Sequence, residues 1–299
     1  MSRFKNYLSL IKFSHTLFAL PFAMIGFFLG IFGTKIIHEN GLPGLGPLLA
    51  RLFLVLICMV TARSAAMAFN RYLDRSFDAR NPRTAIREIP RGIIAPNNAL
   101  RFVIICCAIF IFACWFINPI CFYLSPVALF VILFYSYTKR FTPLCHLVLG
   151  LGLSLAPIGA FLAVTGHFEP LPLLFSGAVI CWVSGFDIIY AMQDVDFDKS
   201  ENLFSIPVAV GKRNALWISI LLHVFSAGFV IAAGIAGGFG GWYWVGIFLF
   251  TGMLIYQHII VKPNDISRVN LAFMTANGIA SVVFAFFVIA DIYFTHKHW

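Results

Sequence analysis

The chain has 299 residues, of which 61% are hydrophobic and only 11% charged. A water-soluble domain of this length carries about a quarter charged residues, so this chain has too little polar surface to fold in water and reads as a single polytopic membrane domain. The net charge of +9 would suggest nucleic acid as a partner in a soluble protein. No basic module interleaved with aromatics is present, so nucleic-acid binding is set aside.

The N-terminal segment up to Gly30 has a long apolar run without a clean small-x-small cleavage site, and it reads as a retained first span. Further apolar runs follow, giving spans near 16–33, 52–69, 102–117, 120–137, 144–165, 171–190, 215–235, 242–261 and 271–294. Each is long enough to cross a hydrocarbon core about 30 Å thick. Asn118-Pro119 marks a tight turn between the third and fourth spans. A chain inside lipid must satisfy its backbone internally, as helices or a closed barrel. Barrel strands alternate apolar and polar residues, and these runs do not. The predicted fold is an all-α bundle of nine transmembrane helices, with a possible repeat of four, four and one.

Arg3, Lys5 and Lys12 precede the first span. The loops after the second, fourth, sixth and eighth spans hold Arg71 to Arg91, Lys139-Arg140, Lys199 to Arg213, and Lys262 with Arg268. Lys35 and Arg51 flank the first intervening loop, and the next three have no Lys or Arg. The positive-inside rule then places the N-terminus and the basic loops in the cytoplasm and the C-terminus outside.

Eight of the twelve acids fall on two of those cytoplasmic loops. The first cluster sets Asn70, Asp74 and Asp78 at i, i+4 and i+8, a helical face that drifts by about 80°. The second sets Asp187, Asp194 and Asp198 at i, i+7 and i+11, within about 40° on one face, with Tyr190 beside them and Asp196 pointing elsewhere. Stacked carboxylate and amide oxygens suit a hard cation such as Mg2+, which keeps phosphates in its shell. Asp187 lies deepest, where an ionisable group requires a polar cavity. Arg63, two turns before Asn70 in an apolar span, requires an anionic partner; an ion pair with an acid and contact with a phosphate are both open. Lys139, Arg140 and Lys199 are the loop cations placed to meet a diphosphate.

Other signals are structural. The seven cysteines show no metal-ligand spacing and read as buried apolar residues. Gly150-Leu151-Gly152 has no preceding strand and reads as a helix-packing site. His15 and His146, at the heads of the first and fifth spans, read as interfacial polar residues within reach of a cytoplasmic cavity.

These motifs resemble those of the UbiA superfamily of intramembrane aromatic prenyltransferases. Asn70-x-x-x-Asp74-x-x-x-Asp78, with Arg63 and the following Asn81-Pro82-Arg83-Thr84, Arg87 and Pro90-x-Gly92, is similar to the first family motif. Asp187-x-x-Tyr190-x-x-x-Asp194-x-x-x-Asp198 is similar to the second, and Tyr135 to Arg140 resembles the close of the fourth helix. Arg71 departs from the pattern, since many members carry Asp there. The resemblance implies nine helices around a cavity open to the bilayer. It also implies two Mg2+ ions held by Asn70, Asp74, Asp78, Asp194 and Asp198 on the diphosphate of a polyprenyl donor, and an aromatic acceptor whose ring attacks the donor's allylic carbon. Asp187 and Tyr190 would then stabilise the cation, orient the acceptor or take the ring proton. The chain is similar both to 4-hydroxybenzoate polyprenyltransferases of ubiquinone biosynthesis and to members of the menaquinone futalosine route. The stretches IKFSHTLFALPFA and NPRTAIREIPRG lean toward the second. A transporter of cations or anionic lipids with an acidic vestibule is the competing reading, although such sites lie near the midplane at broken helices.

Overall fold

A computed structural model describes residues 3–11, 18–32 and 44–295; Lys12, His15 and Lys35 lie outside the described residues. Among these the chain is helical, with no strand beyond an isolated bridge between Lys262 and Asp265. In chain order the helices are α1 (Arg3–Leu10), α2 (Leu20–Phe32), α3 (Leu45–Leu73), α4 (Arg75–Arg80), α5 (Pro96–Ile117) and α6 (Pro119–Thr138). They continue as α7 (Cys145–Thr165), α8 (Pro170–Ala191), α9 (Val195–Ser200), α10 (Ile206–Ala236), α11 (Gly241–Ile260) and α12 (Asn277–Thr295), the last entered through a π-helical turn, Leu271–Ala276. Eight of these are long and apolar enough to span a bilayer. The predicted first span corresponds to α2, an apolar helix of 13 residues whose flanks lie outside the described residues. The protein is an integral membrane protein.

Several helices start or stop where the local chemistry requires. Asn118 is extended (φ −171°, ψ 166°), and its side-chain oxygen accepts the Cys121 N–H at 2.9 Å, capping α6 as Pro119 takes the first helical position. The same side chain donates to the Leu162 carbonyl at 2.8 Å, tying this turn to the end of α7. The helical run of α10 is interrupted at Gly211, whose φ of +80° only glycine adopts readily. The π turn frees carbonyls from the regular ladder, and the Asn277 amide donates to two of them, Ala272 and Phe273, both at 3.1 Å. Asn277 Oδ1 in turn accepts from Trp182 Nε1 and Gln257 Nε2.

The core lies among α2, α7, α8, α10, α11 and α12, where Phe22, Phe175, Trp182, Tyr243, Phe250 and Phe284 are buried against one another. Large apolar residues such as Phe112, Trp115, Phe130, Trp217, Phe248 and Phe286 are exposed on the outer faces, as a lipid-facing surface requires.

The expected helix continuity through the acidic motifs needs correction. α3 ends at Leu73, Asp74 leaves helical geometry (φ −87°, ψ 6°), and α4 starts anew. The second motif does the same: after the 3₁₀ turn Met192–Asp194, Asp194 (φ −105°, ψ 5°) precedes the six-residue α9. In both places an Asp stands at the break, and a second Asp, Asp78 or Asp198, sits four residues later inside the short helix. The sequence spacing was compatible with one unbroken helix, but Asp favours the flanks of helices over their interiors.

Gly150 lets α7 approach α8. A Cβ there would stand 2.5 Å from Ser184 Oγ and 2.6 Å from the Ile180 carbonyl oxygen, so the glycine-containing stretch packs helices, as expected. Gly150→Leu should force the pair apart at a cost of about 1–3 kcal/mol. The expected result is a lowered thermal midpoint in detergent with membrane insertion retained; an unchanged midpoint would show the contact to be slack.

Candidate active site

Both acidic motifs line one polar cavity of about 260 Å³ at the end of the bundle where α3, α6, α7 and α8 converge. Asn70, Asp74 and Asp78 form one wall, and Asp187, Tyr190, Asp194 and Asp198 the other. The two motifs are bridged by cations from outside either one. Lys139 Nζ lies 2.8 Å from Asp198 Oδ1, while its neighbour Arg140 lies 2.8 Å from Asp74 Oδ1. Adjacent residues at the end of α6 therefore reach opposite walls. Arg140 also donates to the carbonyls of Ser136 (2.8 Å) and Leu73 (3.2 Å), the latter freed where α3 breaks.

The loop after α4 closes the site from the first wall. Arg83 donates from Nε to Asp194 Oδ1 at 2.9 Å, pairs with Asp194 Oδ2 through Nη2, and donates from Nη1 to the Tyr190 hydroxyl at 2.9 Å. Asn81 donates to the same Asp194 oxygen at 3.3 Å, and Arg87 lies 2.6 Å from Asp78 Oδ1. Sequence reasoning singled out neither Arg83 nor Arg87 as a site residue. Their four-residue separation beside the first motif was the available signal, but only the folded loop shows that one arginine crosses to the second motif.

Deeper in the cavity, Asp187 Oδ2 meets His146 Nδ1 at 2.7 Å. His146 Nε2 accepts the Ile206 N–H at 3.4 Å, which leaves Nδ1 to donate its proton to the carboxylate. His146 is thus buried at 2% exposure against a site carboxylate rather than resting at the interface. Tyr190 packs on Phe273 of the π turn, ring centroids 4.2 Å apart. Arg63 lines the same cavity; the ion pair with an acid that was one of its expected partners is not present. Lys199 is exposed and does not line the cavity: one residue beyond Asp198, it is turned about 100° away on α9.

A second cavity of about 360 Å³ runs between α3, α5, α6 and α7. Val55, Met59, Phe110, Leu124 and Val131 make its wall almost wholly apolar. Arg63, Tyr135, Leu149 and Leu153 line both cavities, which therefore adjoin.

The acids fit a divalent cation that also takes oxygen from a bound phosphate. Asp78 Oδ2 is buried without a hydrogen bond. Asp198 is buried with no partner for its oxygens but the Lys139 ammonium, 2.8 Å from Oδ1. Among the described residues no three His, Cys, Asp or Glu side chains form a ready-made metal cage. Mg2+ needs none, being held by one or two carboxylates together with substrate phosphates and water. Burial pushes the Asp78 carboxyl up to about 7 and raises that of Asp74 as well, against the pull of Arg140.

The profile of the UbiA prenyltransferase family matches residues 19–279. A 4-hydroxybenzoate octaprenyltransferase from Nitrosospira multiformis is 30% identical over 240 residues, covering 80% of this chain and 82% of its own. One from Alkalilimnicola ehrlichii is 29% identical over 248 residues, 83% of each chain. Among solved structures, the apo UbiA homologue from Aeropyrum pernix K1 superposes with a TM-score of 0.77 at 30% identity, covering 94% of this chain and 98% of that one. The Archaeoglobus fulgidus homologue bound to DMAPP and Mg2+ shares the fold, with a TM-score of 0.71 at 20% identity over 96% and 99% of the two chains. With the acidic motifs facing each other across one intramembrane cavity, this chain belongs to the UbiA prenyltransferase family.

Proposed function

We propose that this enzyme transfers a polyprenyl chain from its diphosphate to an aromatic acid in quinone biosynthesis. The acceptor is 4-hydroxybenzoate, as the names of the relatives suggest, or a naphthoate-type menaquinone precursor, toward which the NPRTAIREIPRG stretch leans. The carrying observation is that a charged cavity, faced by both acidic motifs, adjoins an apolar one and shares Arg63, Tyr135, Leu149 and Leu153 with it. A prenyl diphosphate has the same two parts. A transporter site would lie near the midplane instead. The cavity mouth and basic loops face the cytoplasm and the C-terminus lies outside, following the positive charges.

Asn70, Asp74 and Asp78 on one wall and Asp194 and Asp198 on the other would hold two Mg2+ ions, which when bound withdraw electron density from the diphosphate oxygens. With these acids engaged by metal, Lys139, Arg140, Arg83 and Arg87 would be free to face the leaving group, with Arg63 where the two cavities adjoin. Their charge stabilises the electron pair that the breaking allylic C–O bond leaves on the diphosphate. Tyr135, Phe186 and Phe273 wall the reacting end and exclude the water that would otherwise capture the cation. The acceptor ring attacks ortho to its hydroxyl and forms the C–C bond. The ring proton then passes to Asp187 Oδ1, the oxygen left open by His146, while Tyr190 orients the ring. The isoprenoid tail occupies the apolar cavity.

Membranes given Mg2+, labelled prenyl diphosphates and a panel of aromatic acids should yield a prenylated acid identifiable by mass; absence of any such product sinks the assignment. Asp74→Ala and Asp194→Ala should each lower turnover by roughly a hundredfold or more with insertion intact, and EDTA should silence the wild type. A variant that stays fully active across a Mg2+ titration removes that residue from the site.

The raised Asp74 and Asp78 carboxyls give the pH dependence its sign. Below pH about 7 the proton on Asp78 competes with the metal. The Mg2+ concentration for half-maximal activity should therefore be higher at pH 6 than at pH 8. Equal midpoints would show that the carboxyl is already ionised.

A further inference from the structure

Among the described residues five acids line the polar cavity, and four of them pair with a lysine or arginine: Asp74 with Arg140, Asp78 with Arg87, Asp194 with Arg83 and Asp198 with Lys139. The fifth, Asp187, pairs instead with the imidazole of His146. Nε2 of that ring accepts the Ile206 N–H at 3.4 Å. Ile206 opens α10, where the first N–H groups have no carbonyl in the helical ladder. A ring nitrogen that accepts carries no proton, so the imidazole is neutral and its single N–H, at Nδ1, faces Asp187. A fixed cation beside a carboxylate stabilises the anion and weakens it as a base. A neutral donor holds the carboxylate in place without that charge.

The two partners also differ in exposure. Asp187 keeps 23% of its side-chain surface open and His146 only 3%. The carboxylate can therefore touch a substrate, whereas the imidazole works through it. His146 is itself held, because Ser184 Oγ, one turn before Asp187 on α8, donates to its carbonyl at 3.1 Å. One turn beyond Asp187, Arg83 holds the Tyr190 hydroxyl at 2.9 Å. An untied carboxylate at position 187 would be drawn toward that guanidinium.

We propose that His146 is a positioning residue, which keeps Asp187 turned to the reacting ring as a base fast enough that ring deprotonation does not limit turnover. This rests on the prenyl-transfer reading. Once the ring has bonded to the allylic carbon, its attacked carbon carries both the new C–C bond and a hydrogen. The C–H bond breaks, its electron pair restores the aromatic ring, and the proton goes to Asp187 Oδ1. His146 Nδ1–H stays on Oδ2 throughout.

The test is turnover in nanodiscs with acceptor carrying hydrogen or deuterium at the carbons ortho to its hydroxyl. Wild type should turn both over alike. His146→Leu removes the donor and should lower kcat about tenfold or more. It should also show a primary isotope effect, with the KM for the prenyl diphosphate unchanged. His146→Gln keeps a donor for Asp187 and an acceptor for the Ile206 N–H, so it should recover most of kcat without an isotope effect. Adding His146→Leu to Asp187→Asn should cause no further loss, since nothing is left to position.

An isotope effect in the wild type or in His146→Gln overturns the proposal. So does its absence from His146→Leu, or a further loss in the double variant. Should His146→Leu fail to fold, His146→Phe, which keeps a ring without the donor, takes its place under the same outcomes. Absence of any prenylated product from the wild type would remove the prenyl-transfer reading and the proposal with it. Product formed without these isotope signatures overturns the proposal alone.

Discussion

The arrangement depends on two adjacent residues at the end of α6 that face opposite ways. Lys139 reaches Asp198 and Arg140 reaches Asp74, each at 2.8 Å, so one short stretch of backbone holds two acidic motifs more than a hundred residues apart at a common cavity. Arg83 adds a third link by crossing from the first motif's loop to Asp194. Like charges gathered in one cavity repel, and at reduced dielectric the repulsion is strong. The bridging cations let the acids converge.

The breaks at Asp74 and Asp194 serve the same end. A continuous helix would keep the carboxylates of each motif on a slowly turning face directed along the bundle. Ending the long helix at the first Asp and restarting a six-residue helix turns the second Asp into the cavity. Neither Asp at a break spends its side chain on capping the helix that follows; both are left to the cations. The glycine contact between α7 and α8 sets the other wall, because α7 carries His146 and α8 carries Asp187. Ser184 on α8 reinforces it by donating to the His146 carbonyl at 3.1 Å.

Much of this was legible in the residues. Apolar run lengths alone indicated a helical membrane protein, and most predicted spans fall within helices. α3 and α10 run well past the apolar segments that announced them, to 29 and 31 residues, because each continues into polar residues that hydropathy does not count. The positions Asn70, Asp74, Asp78, Asp187, Tyr190, Asp194 and Asp198 stood out by spacing, and all line the cavity. Lys199 stood out for its neighbour and does not, since a single helical step turns it to solvent.

Sequence alone determined the solvent, the helical class, the side on which the charges gather and the two oxygen-rich motifs, because each follows from composition or from periodicity within a few turns of backbone. Tertiary structure decided which cation meets which acid, that His146 holds Asp187, and that a polar cavity adjoins an apolar one. Those outcomes depend on contacts between segments 40 to 120 residues apart. Such contacts arise from the packing of whole helices, and local spacing carries no record of them.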